Sequence, residues 1–322
     1  MTLTAPSRSP APAALASPGR AGWRDRGFRS LSLACGLLVL VILLLIATST
    51  TQKAWPAFSH VGIRFFTSKR WAPSSGVFGS LPFVYGTFVT AVIALCLSVP
   101  ISVGIALFLS DVAPRGLRRP VTSLVDLLAA VPSVVYGLWG VIVFAPWVAG
   151  VYERVGSITS PIPFVSKVFS GPSTGRGLFT AGIILALMVT PIITSITREV
   201  FDTVPTMAKE AAYALGSTRW EMLRASVFPH SRAGMVGAVM LGLGRAMGET
   251  IAAALVIGSS PQITAHLFRS GDSMAAVVAN EFGESGGIHR AALIGLGVEL
   301  FALTILVNVI ARFIVARGQR LA

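Results

Sequence analysis

The chain has 322 residues, 53% of them hydrophobic and 12% charged, with 26 Lys and Arg against 13 Asp and Glu and a net charge of +13. Charges this sparse leave most of the chain unable to face water, which argues against an ordinary soluble enzyme, a disordered scaffold or a disulfide-stapled domain. The basic residues are scattered between apolar runs and form no dense patch, so the excess points to membrane topology and not to nucleic acid.

Residues 1–30 are rich in Ala, Pro, Ser and Arg and read as a disordered cytoplasmic tail. Arg20, Arg24, Arg26 and Arg29 precede an apolar run from Leu31 to Ala47. The run is at or beyond the length of a signal-peptide core and no clean A-x-A site follows, so an uncleaved first transmembrane helix is expected at 31–50. An extracytoplasmic loop is expected at 51–80, followed by a core of five more helices over 81–316 and a short tail at 317–322. The five apolar runs lie at about 82–110, 121–147, 178–197, 233–258 and 291–314, each near the length that crosses the hydrocarbon core. Backbone groups in lipid must be satisfied within the segment, so all six are helices, and the predicted fold is an all-α membrane protein with six transmembrane helices.

Charge tests the topology. With the N-terminus inside, 16 basic residues fall in inside segments and 9 in outside ones, which supports N- and C-termini in the cytoplasm. Cys35 and Cys96 both lie within apolar runs and are expected to be buried packing residues, too few for a disulfide framework or a zinc site. Asp126 falls early in the third span, at its interfacial end, and Pro132-Ser133 interrupts that span. The interruption reads either as a simple kink or as a discontinuous helix lining a path.

The stretch 198–232 is the most informative hydrophilic segment. Pro205 stands in a first turn, Met207 to Leu215 are good helix formers, and Gly216 stops the helix. Thr218 and Glu221 form a T-x-x-E capping box for a second short helix, which Pro229 is expected to end. Two short helices hinged at Gly216, with Tyr213, Leu215, Trp220 and Leu223 facing a partner or the bundle, suit docking into a groove of a soluble protein. The competing readings are a plain connector and a DNA-binding helix-turn-helix. The second is disfavoured by the membrane spans at both ends and by 5 basic residues set against 4 acidic ones.

Arg245 lies near the middle of the fifth span, with Glu249 four residues on and Thr250 next to it. At i, i+4 the two charges share a helix face. A charge at the bilayer centre costs about 2.5–3.5 kcal/mol on insertion scales, so the pair reads either as a self-neutralising ion pair or as a site on an anion path. Arginine presents a planar fork that matches phosphate oxygens. Glu249 would hold that fork while the path is empty. Gly244-x-x-x-Gly248 permits close helix approach. Beyond this span, Ser273 to Phe282 is a plausible short amphipathic helix in an outside loop, and Glu299 falls about nine residues into the last span. His230, His266 and His289 are too widely spaced for a metal site.

Glu210-Ala211-Ala212, Gly216 and Pro229 reproduce most of the spacing E-A-A-x-x-x-G-x(9)-I-x-L-P, with Ser226 and Phe228 where Ile and Leu are usual. This resembles the EAA loop of bacterial ABC importer permeases, a binding-protein-dependent transport family. Val131 to Gly140 (VPSVVYGLWG) and Leu241 to Thr250 (LGLGRAMGET) resemble runs of the phosphate permease subunits of PstC type. The resemblance covers residues ~80–315. It implies a type I ABC importer permease architecture in a bacterial cell membrane, no catalytic role and no cofactor. Site residues implied are Arg245, Glu249 and Thr250 on the substrate path, and Glu210, Ala211, Ala212, Gly216 and Pro229 for ATPase coupling. The partners it implies are a homologous permease of PstA type, a cytoplasmic ATPase dimer of PstB type and an extracytoplasmic phosphate-binding protein of PstS type. The chain has no G-x-x-x-x-G-K-[ST] of its own, so it would draw on a partner for energy. Moving one negative charge inward against about 100 mV costs about 2.3 kcal/mol, roughly fiftyfold exclusion. Importers of sulfate or molybdate, and a stand-alone ion-coupled transporter, are the alternatives. An intramembrane enzyme lacks the paired catalytic groups it needs.

Overall fold

The computed structural model describes residues 21–169 and 174–319, and every regular element among them is a helix. Most of the tail expected at 1–30 lies outside the described residues, but residues 21–30 already belong to helix α1 (Ala21–Val61). Likewise the last helix continues through 317–319, while 320–322 lie outside the described residues. The described residues divide between Thr50 and Thr51 into two compact units. The first is the leading part of α1, whose run from Leu31 to Ala47 is apolar all round, as a lipid-facing helix requires.

In the second unit the end of α1 is followed by α2 (Arg64–Thr67) and a short 3₁₀ turn at Pro73–Ser75, so the expected loop 51–80 is largely structured. Next come α3 (Leu81–Leu107), α4 (Arg115–Ala130), α5 (Ser133–Trp139), α6 (Ala145–Thr159), α7 (Pro163–Phe169) and α8 (Leu178–Asp202). Two short helices, α9 (Thr206–Ala214) and α10 (Arg219–Met222), lead into α11 (Phe228–Gly248) and α12 (Ile251–Val256). The chain closes with α13 (Met274–Glu281) and α14 (Gly287–Gln319). Ser273 caps α13 through Ala276 N–H, so the short helix expected there forms.

Five helical stretches among the described residues are long and apolar enough to cross a membrane: 25–61, 81–112, 133–159, 178–202 and 287–313. The run expected at 233–258 is not among them. It is split between α11 and α12, and α11 carries His230, Arg232, Arg245 and five glycines. The third apolar stretch lies further along than the expected 121–147. Tertiary contacts nevertheless set the earlier segment beside α8. Arg118 pairs with Asp202 at 2.9 Å, Arg198 donates to Thr122 at 2.7 Å and Ser195 donates to Asp126 at 3.4 Å. Further along, Gly140 packs against Ile184 and Gly175 lies against Ala145. Residues 115–145 thus run antiparallel to α8 over its whole length. The polar face of α4 meets α8, and Leu117, Leu124 and Leu128 face outward.

The main core joins α3, α8, α11 and α12 through Ala91, Ala94, Ile184, Val189, Ile193, Ala238, Leu243 and Val256. Small residues on α3 and α11 let the helices approach closely. Cys35 and Cys96 are both exposed on helix surfaces, not buried as the sequence suggested. Apolar helix faces turned to lipid leave a small hydrophobe as much at home outside as in.

The segment between α12 and α13 is drawn onto the bundle at Gly86, where a Cβ would stand 1.8 Å from the Asp272 carbonyl oxygen. Gly86→Ala is therefore expected to cost stability of about 1–3 kcal/mol or more, as overpacking does. Gly104→Ala in the same helix, where a Cβ meets open space, is expected to keep stability or raise it by up to about 1 kcal/mol. Unfolding temperatures of the two variants in detergent test the contrast.

Asp272 is itself buried, and its Oδ1 accepts from Ser273 N–H at 2.8 Å. Burial pushes its carboxyl up from 3.8 to about 7; the Ser273 amide opposes the shift and Glu281 adds to it. The folded state then holds a proton that the unfolded state has released. The contribution is fully present below about pH 3.8 and lost as pH rises through about 7. Asp272→Asn keeps the acceptor and removes the titration, so the fall in unfolding temperature between about pH 4 and about pH 8 should flatten.

Candidate functional site

Two interrupted helices lie side by side. The first break is at Val131 and Pro132, both extended, between α4 and α5. Of the two readings of Pro132, the discontinuous helix is what forms: proline disfavours helical conformation in the residue before it and removes a donor. The second break is at Glu249, whose φ of −69° and ψ of 123° take it out of α11. A Cβ on Gly137 would meet Ala252 Cα at 2.8 Å, so only a glycine lets α5 lie this close to α12. Tyr136 Oη donates to the Leu128 carbonyl at 3.0 Å and spans the first break.

Arg245, on the last turn of α11, is exposed and makes no ion pair among the described residues. The expected i, i+4 arrangement with Glu249 does not form. Helix α11 ends at Gly248, and Glu249 Oε1 instead accepts from Ala252 N–H at 3.3 Å, capping α12. Thr250 Oγ1 donates to the Gly248 carbonyl at 3.2 Å. Glu249 and Thr250 thus shape the break, and the Arg245 guanidinium keeps its five donors. It lines a cavity of about 1120 Å³ between α8, α11 and α14, together with Ile192, Met240, Gly244, Asn308 and Arg312.

Tyr136 falls within the Val131–Gly140 run, which marks no role for it. Nor does the sequence single out Asn308 and Arg312, although their i, i+4 spacing sets both on one face of α14. Glu299 has a buried Oε2 with no hydrogen-bond partner among the described residues. His289 and Trp71 both contact Glu281 Oε2, at 2.9 and 3.0 Å.

The 198–232 segment folds largely as its sequence dictates. Helix α9 ends before Gly216, which has φ of 82°, and the amides of Gly216 and Ser217 bond back to Tyr213 and Ala212. Both halves of the Thr218–Glu221 capping box are present, and those two Thr218 groups hold the Glu221 carboxyl below its usual range. Lys209 pairs with Asp111 at 2.6 Å, and Ala212 and Leu223 are buried against Phe201 and Ala106. Glu210 and Ala211 are exposed. Met207, Leu215 and Trp220 are 77%, 87% and 60% exposed, and Tyr213 is also exposed. Pro229 does not end the second helix. A π-type turn at Leu223–Val227 carries α10 directly into α11, and Pro229 sits in the first turn of α11, where a missing N–H is tolerated.

The family described as "Binding-protein-dependent transport system inner membrane component" matches residues 99–319. "Phosphate transport system permease protein PstC" of Mesorhizobium japonicum is 44% identical over 91% of this chain and 90% of its own. The protein of that name from Xylella fastidiosa strain 9a5c is 43% identical over 96% of this chain and 97% of its own. "PstC 2" of Mycobacterium tuberculosis is 40% identical over 97% and 98%. Among solved structures, a bacterial ABC transporter importing alginate has a chain of TM-score 0.58 and 15% identity, with 92% of this chain and 99% of that one covered. The inward-facing MetNI methionine transporter gives 0.53 at 16% identity, with 77% and 99% covered. At such identities the structures speak to the fold.

Proposed function

The chain belongs to the family of binding-protein-dependent transport system inner membrane components, and from that premise we propose that it is the permease subunit of an ATP-driven importer of inorganic phosphate. The observation that carries this reading is its near full-length similarity, at 41–44% identity, to relatives named as phosphate permeases. The chain is a multi-pass membrane protein, read here in the bacterial cell membrane with α11 as a sixth crossing and both termini in the cytoplasm. The 16 to 9 distribution of basic residues supports that orientation.

Arg245 is the proposed anion contact. Its fork offers two parallel N–H groups to two phosphate oxygens in a site of low dielectric. With Glu249 occupied at the α12 cap, no carboxylate among the described residues pairs with the guanidinium. The segment from Glu210 through Gly216 to the start of α11 at Pro229 is the proposed lever for a separate ATPase dimer of PstB type. A PstA-type permease would complete the path and a PstS-type protein would deliver the anion. The continuous run from α10 into α11 supports a mechanical link between lever and path, because movement of Trp220 is carried along one helix toward Arg245.

The test is co-expression with the products of neighbouring reading frames, co-purification, and reconstitution. Uptake of phosphate that requires ATP and is outcompeted by neither sulfate nor molybdate is expected. Uptake by the purified chain alone would overturn the reading.

A further inference from the structure

At the end of the bundle opposite α9 and α10, two adjoining cavities of about 540 and 340 Å³ share Thr174, Arg176, Gly258 and Ser270. Ser259 lines the larger, and Ser260, Gln262 and Arg269 the smaller. Arg176 and Arg269 are exposed and neither makes an ion pair among the described residues; no described carboxylate lines either cavity. A cavity with two uncompensated guanidinium groups repels cations and attracts anions.

The backbone reinforces the charge. Ile257 is right-handed helical, with φ −73° and ψ −24°, and Gly258 follows at φ 95°. Such a pair turns successive amides to one side and makes a concavity for an anion. The N–H groups of Gly258 and Ser259 donate to no described acceptor. Ser259 has φ of 48°, a conformation that side chains other than glycine rarely adopt.

The turn is held from several sides. Ser260 N–H bonds to Gly271 O, Gly271 N–H to Ile257 O and Gln262 Nε2 to Ser270 O. Asn280 Nδ2 donates to Ser259 Oγ at 3.1 Å, and Leu178 N–H anchors the Arg269 carbonyl. A Cβ on Gly258 would meet Ser270 Oγ at 2.5 Å. A turn fixed this way offers its donors without reorganisation on binding.

We propose that these cavities form a binding site for a tetrahedral oxyanion, phosphate in this chain, held by Arg176 and the Gly258 and Ser259 amides before it reaches Arg245. The proposal rests on the anion-import reading above. Arg176 takes two oxygens through its fork, and the amides with the Ser270 hydroxyl take the others. The site lies far along the bundle from the coupling segment, so it acts on anion entry and not on ATPase docking.

The test uses Ser260→Cys in a Cys35→Ser, Cys96→Ser background, in the assembled complex in phosphate-free maltoside detergent. The rate of labelling by an anionic methanethiosulfonate is followed with and without inorganic phosphate. At phosphate about ten times its dissociation constant, labelling should slow about tenfold, and Arg176→Ala should abolish the slowing while Arg176→Lys retains part of it. An unchanged rate at all phosphate concentrations, in a complex that imports phosphate after reconstitution, overturns the site and leaves the transport reading standing. Slowing by anionic phospholipid but not by phosphate assigns the cavities to a lipid headgroup and also overturns it. A complex that shows phosphate protection but imports no phosphate upholds the site and removes the transport reading.

Discussion

Arg245→Ala is expected to abolish phosphate uptake while the complex still assembles. The residue is exposed to a cavity, makes no ion pair among the described residues, and occupies the last turn of α11, so its loss removes no packing on which the helix depends. What it removes is the fork. Two charge-assisted hydrogen bonds at about 1.5–3 kcal/mol each put the loss at a hundredfold or more. Arg245→Lys keeps the charge without the planar pair of donors and should fall between the two. The measurement is radiolabelled phosphate uptake beside co-purification of the partner subunits. Wild-type uptake in the alanine variant would retire Arg245 as the anion contact. Glu249→Gln separates the two roles of that neighbour. The amide still accepts from Ala252 N–H, so retained uptake would assign Glu249 to the α12 cap, and loss would assign it a charge on the path.

The reach of the sequence differs from place to place. Where structure is decided within a few residues, the chain could be read directly: Thr218 and Glu221 form their capping box, Gly216 ends α9, and Ser273 caps α13. The long apolar runs at 82–110 and 178–197 match α3 and α8 because length and apolarity alone settle a membrane helix. The break at Glu249 was not legible. No proline marks it, and i, i+4 pairing needs a helix that continues through Glu249, where the backbone is extended. Pro229 erred in the other direction, since a π-type turn accommodates it within one run. The rungs joining Arg118, Thr122 and Asp126 to Asp202, Arg198 and Ser195 depend on two distant segments meeting, which no local pattern records. Tyr136 illustrates the same limit. Its place in the Val131–Gly140 run is visible, but its hydrogen bond across the first break follows from the turn the chain takes at Pro132.

Leu215→Asp combined with Trp220→Ala is expected to release the ATPase and stop uptake without unfolding the permease. The fold of this segment rests on other groups: Gly216 in its left-handed turn, the Thr218–Glu221 box, the Lys209–Asp111 pair and the buried Ala212 and Leu223. Leu215 and Trp220 contribute little to it, at 87% and 60% exposed. Large apolar side chains left open on a well-held scaffold are what a docking surface needs. Burying each against a partner contributes about 1.5–3 kcal/mol, so losing two should weaken association by a hundredfold or more. Unfolding temperature should stay within about 2 °C of the parent, as for surface changes away from packed contacts. Lys209→Ala is the contrasting variant. It breaks a largely buried ion pair between α9 and the turn after α3, so it should lower both the unfolding temperature and ATPase retention. A double variant that keeps its ATPase and imports at the parental rate would show that coupling does not run through this surface, and Glu210, exposed on the neighbouring turn of α9, would then be the next residue to change.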